Sequence, residues 1–201
     1  MVRALYITHP QVVIDPNVPT PRWGLNETGR ARAEAFAARD ILPAGSAVFS
    51  STERKAAELA EIIARPIGAP VTYETDFGEN DRSSTGYMEP QRFEATADRF
   101  FAYPRESVEG WERAIDAQAR IVSAVARALA SVPAGTLAVF CGHGAVGTLL
   151  KCHCGNRAIA RDEDQRRMAD PGGGNAFVFD LEARELFCDW VAMEALDPGL
   201  L

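Results

Sequence analysis

The chain has 201 residues, 47% hydrophobic and 24% charged, the balance of a protein that buries a real core. Its net charge of −7 argues against a surface built to coat nucleic acid or an anionic membrane, yet allows a small anion in a locally positive pocket. No stretch reaches the ~20 apolar residues of a membrane helix, and the N-terminus runs almost straight into the first strand, which leaves no room for a signal peptide.

Residues 2–7 predict a short buried strand. Pro10, Pro16, Pro19 and Pro21 make 10–24 an irregular loop. A helix with Asn26 or Thr28 as its cap follows to about residue 39. A second strand covers 46–50, and Ser51 or Thr52 caps a helix that ends near residue 64. Residues 71–74 form a third strand, and 76–90 a polar, glycine-containing loop of the kind that carries active-site groups. Helices are expected at 90–101 and 107–131, the second with a clear 3.6-residue apolar period. Phe93, Phe100, Phe101, Tyr103 and Trp111 recur at near-helical spacing, which assigns most of them to the core, while the segments that carry them shape a pocket mouth. A strand at 137–141, a helix at 146–154 and a polar loop to residue 174 come next, with Gly172-Gly173-Gly174 as a turn. Residues 176–180 and 185–190 close the chain as a hairpin. Strands alternating with helices define an α/β fold, a three-layer α/β/α sandwich with a mostly parallel central sheet, in one domain over 1–201. Four cysteines are expected to be reduced thiols of a cytoplasmic protein. The Cys152-His153-Cys154 spacing suits packed thiols better than zinc, so no metal site is expected.

The chain has three histidines, and two of them each directly follow a predicted strand. His9 comes after Ala4-Leu5-Tyr6-Ile7-Thr8, and His143 after Leu137-Ala138-Val139-Phe140-Cys141-Gly142. Ligands of open α/β sheets bind outside the carboxyl ends of the strands, so both imidazoles should share one crevice. Imidazole is the side chain most easily tuned as nucleophile, acid or base near neutrality. Gly142 and Gly144 flank His143 at a strand-to-helix turn, where close backbone approach and free N–H groups favour an anion. Ser50 to Lys55 form a third junction on that edge, with hydroxyls, amides and two cations suited either to phosphate or to an ordinary capped helix. Glu79, in the loop after the third strand, either protonates a leaving oxygen or pairs with Arg82.

These junctions, in this order, resemble the histidine phosphatase superfamily, the phosphoglycerate mutase-like or branched acid phosphatase group, over residues 3–190. Thr8-His9-Pro10 stands where the family has Arg-His-Gly. Ser51 to Ala60 resembles its Ser-x-x-x-Arg-Ala-x-x-Thr-Ala helix, with Lys55 at the arginine position. Glu79 matches a catalytic glutamate, the segment around His143 matches the second histidine, and Gly174-Asn175-Ala176-Phe177-Val178 resembles the lead into the last strands. The resemblance implies a phosphohydrolase acting on a small phosphomonoester without metal or organic cofactor. His9 would carry the phosphoryl group, His143 and neighbouring cations would hold its oxygens, and Glu79 would protonate the leaving alcohol.

Two departures bear on this. Thr8 and Lys55 replace arginines, and neither grips two phosphate oxygens as a guanidinium does. Arg54 points ~100° away from residue 55 along the helix, so Arg22 or Arg82 is expected to supply the missing charge beside Thr8, Lys55 and Gly144. The alternative is a catalytically impaired protein that binds phosphate or a phosphometabolite, and a mutase is a third option. Expected partners are a phosphorylated small molecule or phosphate, with no nucleic acid or membrane and with room for a homodimer.

Overall fold

The computed structural model describes residues 3–201. Four strands lie parallel at the centre: β1 (Ala4–Thr8), β2 (Ala47–Ser50), β3 (Val71–Tyr73) and β4 (Ala138–Gly142). The sheet runs in the order β3-β2-β4-β1-β5-β6, and β5 (Asn175–Asp180) turns antiparallel to β1. Two short strands, β6 (Glu185–Leu186) and β7 (Val191–Ala192), both pair with β5.

The pleat of the central strands divides their side chains between two cores. Tyr6 in β1, Phe140 in β4 and Phe177 and Phe179 in β5 face a cluster completed by α4 (Ala114–Ser131) and α5 (Gly144–Cys154). Leu5, Ile7, Val139 and Val178 face the opposite cluster, with Phe36 of α1 (Glu27–Ala37) and Leu59 and Ile63 of α2 (Arg54–Ala64). Helices on both faces give the three-layer α/β/α arrangement with a mostly parallel sheet that the alternation predicts. Both faces being covered also explains why the central strands read as continuous apolar runs.

Some boundaries differ from expectation. Asn26 caps α1, its side chain accepting the Gly29 N–H at 2.9 Å. The helix expected from 107 starts only at Ala114, because Glu109 and Gly110 take left-handed backbone (φ 55° and 80°) in a 3-10 turn at Val108–Gly110. The hairpin's second arm is split into β6 and β7, and between them Asp189 pairs with Lys151 and Arg157. The loop expected up to residue 174 contains a 3-10 turn at Arg161–Glu163 and a short helix, α6 (Gln165–Met168), capped by Asp164. The remaining helix is α3 (Pro90–Ala102).

Cys141, Cys152 and Cys154 are buried free thiols, and Cys188 is half-buried. Among the described residues, no cluster of three or more His, Cys, Asp or Glu is placed to hold a metal, and no helix is long and apolar enough to cross a membrane.

Candidate active site

The parallel strands end at one edge, and β1, β2 and β4 deliver the chemistry there. His9 follows β1 and His143 follows β4, and their rings meet edge-on with centroids 5.3 Å apart. The β1–β4 ladder continues past the strands, His9 N–H donating to Gly142 O at 2.9 Å. Tyr6, buried beneath the site, accepts the His143 N–H (3.0 Å) and donates to His143 O (3.1 Å). Gly142 makes room for that phenol, since a Cβ there would lie 2.3 Å from the Tyr6 oxygen. The turn at Gly173 and Gly174 runs against His9, Gly174 N–H donating to His9 O at 3.1 Å.

The two imidazoles are held differently. His9 Nδ1 lies 2.9 Å from Pro10 O, and a carbonyl only accepts, so Nδ1 carries the proton and Nε2 the free lone pair. Burial, and then the positive charge of Lys55, push the His9 imidazole down to about 4, so it is neutral at pH 7. His143 is fully buried, and its Nε2 meets Ser51 Oγ at 2.7 Å. Its Nδ1 is buried without a hydrogen-bond partner among the described residues. Burial again holds His143 well below the ordinary imidazole range, against the pull of Glu53.

Glu53 is a residue that sequence inspection passed over. Its Oε2 takes the Lys55 ammonium, and its Oε1 accepts the Glu79 N–H (2.8 Å) and lies 3.5 Å from His143 Nε2. Burial opposes the charge on Glu53. The Lys55 ammonium and the Glu79 N–H outweigh it and hold the carboxyl below the usual carboxylate range. Lys55 also donates to Thr20 O at 2.9 Å, so the cation at the expected arginine position is already partnered. Arg54 points outward to Glu58 (2.8 Å).

Glu79 reaches α5 rather than Arg82. Its carboxylate accepts the N–H groups of Ala145 (3.2 Å), Val146 (3.0 Å) and Asn80 (3.2 Å), so it takes the place at this helix N-terminus that sequence reasoning left for an external anion. Arg120, in the middle of α4, grips the backbone that carries it. It donates to Asp76 O (2.8 Å), Gly78 O (3.0 Å) and Glu79 O (3.2 Å) while paired with Glu112. Nothing in the apolar period of α4 marks Arg120 for this task.

Beyond the imidazoles opens a cavity of about 500 Å³ lined by His9, Lys55, Glu79 and Gly144 at one end and by aromatic side chains at the other. Arg82 lines it, with its guanidinium over the rings of Phe93 (5.2 Å) and Trp111 (5.6 Å). Among the described residues, Arg82 has no carboxylate partner. Arg22 is exposed on the 3-10 turn at Thr20–Arg22, which turns Thr20 and Trp23 toward the cavity but not Arg22. Thr8 is fully buried and bonds to Gln165 and Asn175 rather than opening into the cavity. Phe93, Phe100, Phe101 and Trp111 belong to the core, as their spacing suggests, and also form the cavity wall, whereas Tyr103 is exposed.

Two neutral imidazoles, a carboxylate and cations gathered at the carboxyl edge of a parallel sheet define a protein built for phosphoryl groups. The chain belongs to the histidine phosphatase superfamily (branch 1), whose family model matches residues 18–180. That match begins beyond Thr8-His9-Pro10. The mycobacterial glucosyl-3-phosphoglycerate phosphatase Rv2419c, solved with inorganic phosphate, superposes with a TM-score of 0.76 at 20% identity, covering 98% of this chain and 100% of that one. Bacillus stearothermophilus YhfR gives 0.72 at 16% identity over 92% and 94% of the two chains. TTHB049 of Thermus thermophilus gives 0.61 at 19% over 94% and 99%. At these identities the likeness establishes the phosphoglycerate mutase-like fold. No protein of curated function matches the chain.

Proposed function

We propose that this protein is a phosphohydrolase that cleaves a small phosphomonoester through a phosphohistidine on His9. The observation that carries this reading is the state of His9: neutral, with Nδ1 tied to Pro10 O and Nε2 left free, beside a second buried imidazole at the end of a cavity. His9 Nε2 attacks phosphorus and the P–O bond to the alcohol breaks, while Glu79, entering this step as the carboxylic acid, gives its proton to the leaving oxygen and becomes the carboxylate that the α5 N–H groups hold. Water then attacks phosphorus, giving up its proton to Glu79, and the P–N bond breaks, releasing phosphate with neutral His9 restored. Where the Ser51 hydroxyl donates to His143 Nε2, the unpartnered Nδ1–H serves a phosphate oxygen, with Arg82, Lys55 and the Gly144 backbone around it. Side chains and amides supply the charge neutralisation, so turnover that persists in EDTA is expected. The aromatic wall suits an alcohol portion with apolar surface.

The test is phosphate release from a panel of phosphomonoesters, together with trapping of acid-labile phosphohistidine. Wild type should label and turn over, and His9→Ala should do neither. Release by the His9→Ala variant at the wild-type rate refutes the nucleophile. A second reading is favoured by Lys55 being partnered by Glu53: a phosphate-binding protein without turnover. Phosphate that raises the melting temperature of wild type and of His9→Ala alike, with no release from any ester, would establish it.

A further inference from the structure

Thr8 stands where an arginine is expected, and its hydroxyl enters a buried hydrogen-bond chain whose polarity is fixed from one end. The Asp170 N–H donates to Asn175 Oδ1 at 3.0 Å, which identifies that atom as the amide oxygen. Asn175 Nδ2 is therefore the donor to Asp170 O (2.7 Å) and to Gln165 Oε1 (2.9 Å). Thr8 Oγ1 accepts the Asn175 backbone N–H (3.0 Å), and its own proton goes to Gln165 Oε1 at 2.7 Å, the nearer acceptor than Asn175 O at 3.3 Å. Two donors converge on one carbonyl oxygen, and that leaves the Gln165 amide one orientation, with Nε2 on the far side from Thr8 and Asn175.

That nitrogen sits over the first residue of α5: a Cβ on Gly144 would be 2.3 Å from it. Gln165, Gly144 and His9 line the same cavity, and Gln165 itself is only 7% exposed. Its backbone is anchored as well. Asp164 caps α6 by accepting the Arg166 N–H at 2.9 Å, and Asp164 is in turn paired with Arg161.

We infer that Gln165 is a phosphate-binding residue. Its Nε2–H donates to an oxygen of the phosphoryl group presented to His9, in place of the guanidinium that Thr8 does not supply. Thr8 and Asn175 are positioning residues that aim it. A neutral amide hydrogen-bonded to an anionic oxygen supplies direction and part of the electrostatic gain without a full charge. The inference rests on the phosphoryl-transfer reading of the site.

Orthovanadate titrated calorimetrically into wild type and variants tests it. Gln165→Met should weaken vanadate binding by roughly tenfold to a hundredfold, the range for a hydrogen bond to a charged group. Gln165→Glu keeps an acceptor for Thr8 and Asn175 but turns a carboxylate toward the oxyanion, so it should weaken binding further. This variant carries the test if the methionine variant does not fold. Thr8→Val should give a smaller loss in the same direction, restored by Thr8→Ser. A merely structural role would lower the melting temperature and leave the vanadate affinity of the folded variants unchanged. Wild type that binds vanadate alongside Gln165 variants of equal affinity overturns this inference alone. Wild type that fails to bind millimolar vanadate overturns it together with the phosphoryl reading.

Discussion

The depressed basicity of His9 is a property that solution measurement reaches directly. The imidazole falls from an ordinary value of 6.5 to about 4, with burial the leading cause and the Lys55 ammonium the second. At 1.36 kcal/mol per unit, that displacement corresponds to about 3 kcal/mol favouring the neutral ring. The sign for stability follows by linkage: the unfolded chain takes up the proton near 6.5 and the folded one only near 4. The contribution is therefore fully present above pH 6.5 and is lost progressively as pH falls toward 4. Buried His143 acts in the same direction. For activity, the nucleophile stays neutral down to about pH 4, so the acid limb of kcat/KM due to His9 should lie there and not near 6.5. Lys55→Met removes the second cause and leaves Glu53 unpaired beside the imidazoles, and both changes raise the His9 midpoint. Because burial, the larger cause, remains, the midpoint should rise by only part of the displacement. With three histidines in the chain, carbon-detected titration of their ring Cε1–H signals, assigned by His9→Ala and His153→Ala, reads this without any substrate. A wild-type His9 signal that titrates at 6.5 or above would refute the reasoning, as would a Lys55→Met midpoint that moves down.

Arg120→Ala removes three donors from the backbone around Glu79 and strands Glu112. It should lower kcat about tenfold or more with little change in KM, while the His9 titration stays where it was; an unchanged kcat would show that the loop holds its place without Arg120. Lys151 is fully buried in α5 and paired with Glu163 and Asp189, which Arg157 also bridges, so Lys151→Ala should cost about 3–5 kcal/mol. On a chain of this size that corresponds to a fall in melting temperature on the order of 10 °C, and a fall of only a degree or two would show the network to be dispensable.

The sequence was most legible where the physics is local. Apolar runs ending in His9 and His143 located the strands and their shared edge, because a strand buried on both faces needs uninterrupted apolar residues and delivers the next residue to the sheet's end. Asn26 and Thr28 both offered a cap by residue type, and the Gly29 N–H bond selects Asn26. The features that escaped depend on contacts distant in sequence. Arg120 lies 41 positions from the carbonyl of Glu79, and Gln165 lies 157 from Thr8, so neither carries a spacing that betrays its partner. The helix expected from 107 failed for a different reason. Its apolar period continues through Val108 and Trp111, but those side chains reach the core from a left-handed turn at Glu109 and Gly110 rather than from a helix. Arg22 and Arg82 were indistinguishable as loop arginines; only the fold places Arg82 on the cavity wall and leaves Arg22 outside it.

The departures at Thr8 and Lys55 are linked through the charge of the site. Among the described residues lining the cavity, Lys55 is paired with Glu53, Arg161 with Glu94, Asp98 and Asp164, and Arg166 with Glu94, while Arg82 keeps its charge unpaired. Both imidazoles are neutral at pH 7, and Glu79 occupies two of the N–H groups that open α5. A phosphoryl group entering here meets little unpaired positive charge, so much of its stabilisation has to come from directed hydrogen bonds. Those are most effective when the donors are fixed before the ligand arrives, because binding then requires no reorganisation. The polar side chains at this edge are fixed in that way: Gln165 by Thr8 and Asn175, His143 by Tyr6 and Ser51, and His9 by Pro10 and the Gly174 turn. Replacing an arginine with a threonine thus exchanges charge for alignment, and the buried threonine acts through the glutamine it orients.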